Sequence, residues 1–278
     1  MHLALEAASP RPTRGRPRLS ADVSAEAAER RKLEQDLRAA IRQQNFLLEY
    51  QPRLLLENGR IVGAEALIRW PHRRRGLVPP NAFVPLAEES GLITPIGAWV
   101  LENAAAEALG WPKHMTLSVN VSARQLHDGA LLRQVAEALE RSGLSPDRLE
   151  LELTESLLVD AGEETLFTLS ALRDIGVGIA LDDFGTGFAS LAMLKRLPLT
   201  VMKLDRSLVR GVPHDREDMA IVRAVCATGR ALGLTVVAEG IETEVQRDFL
   251  ADIGCNEGQG YLFSRPIPPA QLRARAAC

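Results

Sequence analysis

Strand-like and helix-like segments alternate along most of this chain, and this alternation constrains its fold more than any other feature. Short runs rich in Val, Ile and Leu predict strands, and the segments between them carry apolar residues every three or four positions, as amphipathic helices do. Strands that alternate with helices favour parallel βαβ units. About eight strands in ~250 residues is the number in a (β/α)₈, or TIM, barrel.

The predicted strands begin with a pair that departs from the regular barrel. The strands are expected at 46–55, 61–70, 115–121, 149–153, 177–181, 201–204, 234–238 and 258–263. The first two are separated by Glu57-Asn58-Gly59-Arg60, in which Asn-Gly is a hairpin signal. We therefore predict an α/β fold, a modified TIM (β/α)₈ barrel with an antiparallel first strand. An open doubly wound sheet is the alternative, but no GxGxxG follows the first strand.

The first 27 residues differ in composition from the rest. Ala, Pro, Arg and Ser dominate residues 1–27, and no apolar periodicity is visible there. This composition predicts a disordered basic tail, followed by a single domain over residues 28–278 whose helical pattern begins at Ala28. A basic tail could touch RNA or lipid headgroups, but a solvated tail is the simpler interpretation.

Charge and cysteine content narrow the class of protein. The net charge of −3 gives no attraction to DNA or to an anionic membrane. The three cysteines are scattered, which argues against a zinc site or a disulfide framework and for a reducing cytosol. No uncharged apolar run approaches the ~18 residues that a membrane span needs, and the N-terminus lacks the apolar core of a secretory signal. We expect a cytoplasmic protein without membrane insertion.

Polar residues recur at or near the ends of the predicted strands. They are Glu65, Asn120, Glu152, Asp182, Asp183, Lys203, Glu239 and Gln259. Because the carboxyl ends of parallel barrel strands meet at one mouth, these side chains are expected to converge. Like charges held together raise one another's pKa, and bound cations remove that conflict. Oxygen ligands without thiolates favour hard ions such as Mg²⁺, Mn²⁺ or Ca²⁺.

The adjacent carboxylates Asp182 and Asp183 suit a bridge between two metal ions, which in phosphoester hydrolysis lie ~3.5–4 Å apart. Taken singly, each polar residue is more simply a solvated or ion-paired side chain, and Lys203 alone is more simply an ion-pair partner. The hypothesis depends on repetition at successive strand ends. These patterns indicate a metal-dependent barrel enzyme, with a phosphoester hydrolase as one candidate, and they leave the substrate open.

An ordered series of motifs resembles the EAL-domain cyclic di-GMP phosphodiesterases. The series includes Gly63-Ala64-Glu65-Ala66-Leu67-Ile68-Arg69-Trp70, and the resemblance covers nearly everything from Leu33 to Pro268. The other motifs are Tyr50-Gln51-Pro52, Asn120-Val121-Ser122, Glu152-Leu153-Thr154-Glu155, Asp182-Asp183-Phe184-Gly185-Thr186-Gly187, Lys203-Leu204-Asp205-Arg206-Ser207, Ala238-Glu239-Gly240-Ile241-Glu242 and Gln259-Gly260-Tyr261-Leu262-Phe263. A lone Glu-Ala-Leu match carries no weight, but the ordered set is highly specific. It implies a barrel enzyme that opens cyclic di-GMP to linear pGpG.

The resemblance implies a metal role for six residues. Glu65, Asn120, Glu152 and Asp182 would hold the first of two ions, Mg²⁺ or Mn²⁺. Asp182 would bridge to the second ion, which Asp183 and Glu239 would complete. Lys203 would orient or deprotonate the attacking water, or stabilise charge on the phosphate, so the catalytic set is Glu65, Lys203 and Glu239. Ca²⁺ is expected to inhibit.

The resemblance also implies substrate and loop residues. The dinucleotide would be contacted by Gln51, Leu67, Arg69, Asp205 and Gln259. Glu155 would anchor the loop that follows Asp183. That loop has Phe188-Ala189 where the family usually has Tyr-Ser, so weaker loop anchoring or weaker dimer contacts are expected.

Three functions are compatible with these residues. The first is an active phosphodiesterase, and the second is a catalytically silent receptor that binds cyclic di-GMP and acts through a protein partner. The third is an interaction module that has lost the nucleotide. A silent member would be expected to lose one or more metal-binding residues or the lysine, and all are present here. Gln51 and Arg69 argue against the third function. We also expect a homodimer formed near the Asp182 loop.

Overall fold

The computed structural model describes residues 18–155, 157, 162–185 and 191–277. The part of the predicted tail before residue 18 lies outside the described residues. The loop residues Phe188 and Ala189 also lie outside them.

Eight strands close a barrel. They are β1 Leu47–Leu55, β2 Ile61–His72, β4 Thr116–Asn120, β5 Leu149–Thr154, β6 Gly178–Phe184, β7 Val201–Leu204, β8 Thr235–Ala238 and β9 Glu257–Gly258, and a short strand β3, Gly76–Val78, extends β2 on its outer side. The order around the barrel is β1-β2-β4-β5-β6-β7-β8-β9, and β9 pairs with β1 to close it.

Strand direction confirms the predicted modified (β/α)₈ barrel. All neighbouring pairs from β2 to β9 around the barrel are parallel. Only β1 runs the other way, antiparallel to both β2 and β9. The hairpin turn has Gly59 in the left-handed region, at φ 73°, as the Asn-Gly signal predicted.

Helices surround the barrel and cover its outer face. They are α1 Arg18–Gln43, α2 Pro80–Ser90, α3 Ile93–Ala108, α4 Ala123–His127, α5 Leu131–Ser142, α6 Glu163–Asp174, α7 Leu191–Leu194, α8 Arg206–Gly211, α9 Arg216–Ala231, α10 Glu244–Asp252 and α11 Pro269–Ala276. The apolar positions that predicted them face the core; Leu131, Val135 and Leu139 of α5, for example, are all buried. None of the described helices is both long and apolar enough to cross a membrane.

Most strand ends lie within three residues of the prediction, and two boundaries differ from it by five residues or more. Helix α1 begins at Arg18, ten residues before the expected start at Ala28, because alanine-rich sequence has high helix propensity even without an apolar period. The last strand covers only Glu257–Gly258 rather than 258–263. After it the chain turns against the backbone of Ile241, where a Cβ on Gly260 would lie 2.1 Å from the Ile241 carbonyl oxygen. That close approach ends the strand.

Candidate active site

The ammonium group of Lys203 lies at the centre of the barrel mouth. Its side chain is 1% exposed, and its Nζ lies 2.6 Å from Glu239 Oε1, 2.8 Å from Glu152 Oε2 and 3.2 Å from Asp182 Oδ1. Glu65 Oε2 is somewhat farther, at 3.8 Å. These four carboxylates come from, or directly follow, four different strands, so the predicted convergence at the strand ends is present.

Amide side chains hold Glu65 on its outer side. Asn120 Nδ2 donates to Glu65 Oε1 at 2.7 Å, and Gln259 Nε2 donates to Glu65 Oε2 at 2.7 Å. The same Gln259 nitrogen lies 3.0 Å from Gln51 Oε1, and Gln51 Nε2 donates to the Ser264 carbonyl oxygen at 3.1 Å. Strand β1 contributes to the mouth because its reversed direction brings Gln51 opposite Glu65 in the β1–β2 register.

A distortion of β6 brings two consecutive carboxylates to one site. Successive side chains of a regular strand point to opposite faces. Asp183 instead has φ 56°, a left-handed conformation that is uncommon for a residue other than glycine, and the β6–β7 register shifts here. Ligand atoms of Asp182, Asp183 and Glu239 consequently all lie within 4.8 Å of one another.

Burial and crowding shift the ionisation of this cluster. Burial raises the pKa of Glu239 to about 7 despite the nearby ammonium. Burial and the negative charge of Glu65 raise the pKa of Glu152 well above its usual value. Burial and the adjacent Asp182 also raise the pKa of Asp183. The cluster therefore holds more negative charge than one ammonium group compensates.

Two groups in the cluster are held in their charged forms. Burial alone would lower the pKa of Lys203, but the four surrounding carboxylates, with Glu152 the strongest, together outweigh it and raise that pKa well above its usual value. Burial would likewise raise the pKa of Glu65, but the Lys203 ammonium and the Gln259 and Asn120 amides outweigh it and lower that pKa. The two groups thus form a charged pair inside the mouth.

The donor set fits divalent cations. Glu152 Oε1 is buried and has no hydrogen-bond partner among the residues that the structure describes. The clustered ligand atoms are all oxygens, which suits hard ions such as Mg²⁺ or Mn²⁺. Added positive charge would also relieve the repulsion that raises the carboxyl pKa values.

Two adjoining cavities share Glu65 as a common wall. A smaller one of about 220 Å³ is polar and includes Gln51, Asp182, Arg206 and Tyr261 in its lining. A larger one of about 770 Å³ is mostly apolar. Its lining includes Leu67, Ile68, Val84, Ile96, Asn120 and Val121. The mouth therefore has room for a ligand with both charged and apolar parts.

The model of the family described as EAL domain matches residues 34–266. The chain belongs to the EAL domain family. It is 45% identical over 259 residues to the bifunctional diguanylate cyclase/cyclic di-GMP phosphodiesterase MucR of Pseudomonas aeruginosa, covering 92% of this chain and 38% of MucR. It is 43% identical over 244 residues to the cyclic di-GMP phosphodiesterase NbdA of the same species, covering 86% of this chain and 31% of NbdA. The chain thus spans about a third of the length of these curated relatives.

A solved structure supports the same assignment. The EAL domain superposes on the structure described as the PaMucR phosphodiesterase in complex with c-di-GMP with a TM-score of 0.83 and 45% sequence identity. The match covers 87% of this chain and 99% of that chain. The fold and family that the motifs implied are therefore confirmed.

Glu155 of the EAL domain contacts the backbone that follows the two aspartates. The Gly185 N–H donates to Glu155 Oε2 at 3.2 Å, and Glu155 is buried. Gly185 has φ 104°, and a Cβ on it would lie 2.4 Å from Leu208 Cδ1, so this position requires glycine. This hydrogen bond connects the end of β5 with the start of the loop after Asp183.

Three of the predicted substrate residues lie around the mouth of the EAL domain without sharing one contact network. Leu67 lines the larger cavity. Asp205 caps α8, accepting a hydrogen bond of 2.9 Å from the Ser207 N–H. Arg69 donates through Nε to Glu49 Oε2 at 2.7 Å. Glu49 was not predicted as a site residue. The available signal was its position two residues before Gln51, on the same face of the strand.

Proposed function

We propose that this EAL domain hydrolyses cyclic di-GMP to linear pGpG with two bound Mg²⁺ or Mn²⁺ ions. The observation that carries this proposal is the meeting of four carboxylates around Lys203 at one barrel mouth. Its substrate is inferred from the 45% identity to a structure described as a phosphodiesterase in complex with c-di-GMP, almost all of which the chain covers.

In this proposal the two ions have overlapping ligand sets. Glu65, Asn120, Glu152 and Asp182 would hold the first ion, and the buried Glu152 Oε1 without a hydrogen-bond partner among the described residues supports this set. Asp182, Asp183 and Glu239 would hold the second, which is supported by ligand atoms within 4.8 Å of one another. When bound, such a pair of ions lowers the pKa of an attacking water and stabilises charge on the phosphate.

The chain's own residues orient the reaction. The Lys203 ammonium is ion-paired at the centre of the mouth, where it would orient the attacking water or stabilise negative charge on the phosphate. It would deprotonate that water only once bound cations drew the carboxylates away and lowered its raised pKa. Glu65 is kept ionised and in place by its contacts with Asn120, Gln259 and Lys203. Glu239 faces the Lys203 ammonium from the end of β8. Lys203, Glu65 and Glu239 therefore form the proposed catalytic set.

Substrate contacts come from the residues that surround this centre. The guanidinium of Arg69 suits a phosphate, and Glu49 holds it in one orientation through Nε. Gln51 and Gln259 form a connected amide pair beside Glu65. Leu67 faces the apolar cavity, and Asp205 offers a carboxylate at the start of α8.

The remaining parts of the proposal concern regulation and assembly. Glu155 anchors the loop after Asp183, supported by its contact with the Gly185 N–H. Ca²⁺ inhibits, because its larger and more flexible coordination shell disturbs a geometry set for Mg²⁺. The domain acts as a homodimer in the cytoplasm and does not bind DNA.

The deciding experiment is incubation of purified protein with cyclic di-GMP and Mg²⁺, Mn²⁺, Ca²⁺ or EDTA, with products resolved by chromatography. We expect pGpG with Mg²⁺ or Mn²⁺ only. The variant Glu65→Gln should lose this activity. The variant Glu137→Gln, which makes the same change at an exposed site, is its matched control and should keep full activity. Tight nucleotide binding without product would favour the silent receptor instead, and absence of both would refute the proposal.

A further inference from the structure

A second layer of polar side chains lies inside the barrel, beneath the metal-binding residues. At its centre is Arg53, whose side chain is only 5% exposed. Arg53 Nη1 lies 2.6 Å from Glu150 Oε1, its Nε lies 2.7 Å from Glu257 Oε2, and its Nη2 donates to Thr116 Oγ1 at 2.8 Å. Ser118 Oγ donates to Glu150 Oε1 at 2.8 Å. One guanidinium thus connects β1 with β4, β5 and β9.

Each member of this layer lies two residues from a residue of the proposed site. Arg53 and Gln51, Ser118 and Asn120, and Glu150 and Glu152 share a strand, whereas Gln259 directly follows the two-residue strand that contains Glu257. Residues two apart on a strand point to the same face. A contact that fixes one member of a pair therefore also limits where the other lies along the barrel axis and which way its side chain points.

Fold stability alone is a poor explanation for this network. Buried ion pairs contribute little net stability, since well-packed apolar residues of similar volume often do as well or better.

We propose that Arg53 is a positioning residue of the metal site, an inference that rests on the proposed two-metal function. Its planar guanidinium holds β1, β5 and β9 in fixed relation, so that Glu152 and Gln259 meet Glu65 at the correct height. An apolar side chain of similar length at this position would leave Glu150 and Glu257 buried beside each other without a cation. Repulsion between these two carboxylates would then shift β5 and β9, which are not paired with each other, relative to β1 below the site.

The test compares Arg53→Met and Arg53→Lys with Arg148→Met as the matched control. Arg148 is also buried, and it donates to the Met115 and Ala108 carbonyl oxygens at 2.9 and 2.8 Å. Mn²⁺ affinity is measured by isothermal titration calorimetry without nucleotide, at a temperature where circular dichroism shows every variant folded. Mg²⁺ dependence, kcat and KM for cyclic di-GMP follow.

For Arg53→Met we expect Mn²⁺ affinity about 10–100-fold weaker, the usual effect of losing a group that orients metal ligands. Arg148→Met should lower the melting temperature and leave Mn²⁺ affinity unchanged. Wild-type Mn²⁺ affinity in Arg53→Met overturns the inference. If Arg53→Met does not fold, Arg53→Lys decides: it keeps the charge but loses the fork, so affinity should still fall about 10-fold, and a wild-type value overturns the inference.

The same measurements separate this inference from the proposed function. A wild-type protein that binds Mn²⁺ through a site sensitive to Arg53, yet forms no pGpG, would refute the hydrolase proposal and leave the positioning role of Arg53 intact. A wild-type protein that forms pGpG while the Arg53 variants bind Mn²⁺ normally would do the reverse.

Discussion

Replacing Lys203 with methionine should destabilise the metal-free protein strongly and the metal-bound protein far less. Lys203→Met removes the cation that lies within 3.2 Å of Glu152, Asp182 and Glu239. Removing one partner of a buried ion pair typically costs about 3–5 kcal/mol, because the remaining charges are left uncompensated. Each kcal/mol corresponds to about 2–4 °C in melting temperature for a large domain. In EDTA we therefore expect a fall of roughly 6–20 °C.

Bound metal ions should replace part of the lost positive charge. A ligand that binds only the folded state stabilises it by about 2.7 kcal/mol at one hundred times its Kd, and removal of the competing ammonium should increase Mn²⁺ affinity. The assay is thermal unfolding of Lys203→Met and wild type, each in EDTA and in saturating Mn²⁺, with the exposed-site variant Lys113→Met as control. A loss below about 1 kcal/mol in EDTA, or an equal loss in Mn²⁺, would refute the view that Lys203 compensates these carboxylates.

Four further predictions concern the same site. Asp182→Asn and Glu65→Ala should each abolish pGpG formation, since each unbalances the charge around a metal ion; turnover retained at ordinary Mg²⁺ concentration would contradict the assignment. Glu155→Ala should weaken Mg²⁺ dependence or dimerisation more than nucleotide binding, and unchanged metal affinity in calorimetry would count against the anchor. Mn²⁺ affinity should fall as pH drops below about 7, because the Glu239 pKa of about 7 lets protons compete with the ion; a flat profile from pH 8 to 6 would exclude Glu239 as a ligand. In the metal-free protein the same carboxyl should reduce stability as pH rises from 4.5 to about 7, since the folded state holds its proton more tightly.

Periodicity was sufficient to predict the barrel because its strands are buried on both faces and its helices on one. The same reasoning placed Glu65, Asn120, Glu152 and Lys203 at one mouth, since parallel strands share the direction of their ends. Periodicity did not predict elements in which apolar residues have no regular spacing. Helix α1 begins at Arg18 without an apolar stripe, and its alanine-rich start depends on propensity alone.

The site contained features that no linear pattern predicts. The left-handed backbone of Asp183 is a property of the distorted end of β6, and a two-residue period would have placed its carboxylate away from Asp182. The Arg53–Glu257 pair joins β1 to β9, so its proximity depends on barrel closure. The Glu49–Arg69 pair lies within the β1–β2 hairpin and depends on the register of that hairpin. When two charged residues meet only because the barrel closes, their pairing can be predicted only after the order of the strands is known.

The reversed first strand also determines where the preceding segment attaches. A strand antiparallel to its neighbours begins at the end where they finish, so Leu47 lies opposite Arg69 in the register. Helix α1 therefore joins the barrel at the rim that carries the candidate active site, where Asp36 contacts His72 at the last residue of β2. In a regular (β/α)₈ enzyme the first strand would begin at the opposite, stabilising face. Here helix α1 leads into the barrel on the same side as the candidate active site, so the preceding segment and the proposed ligand site face the same side of the molecule.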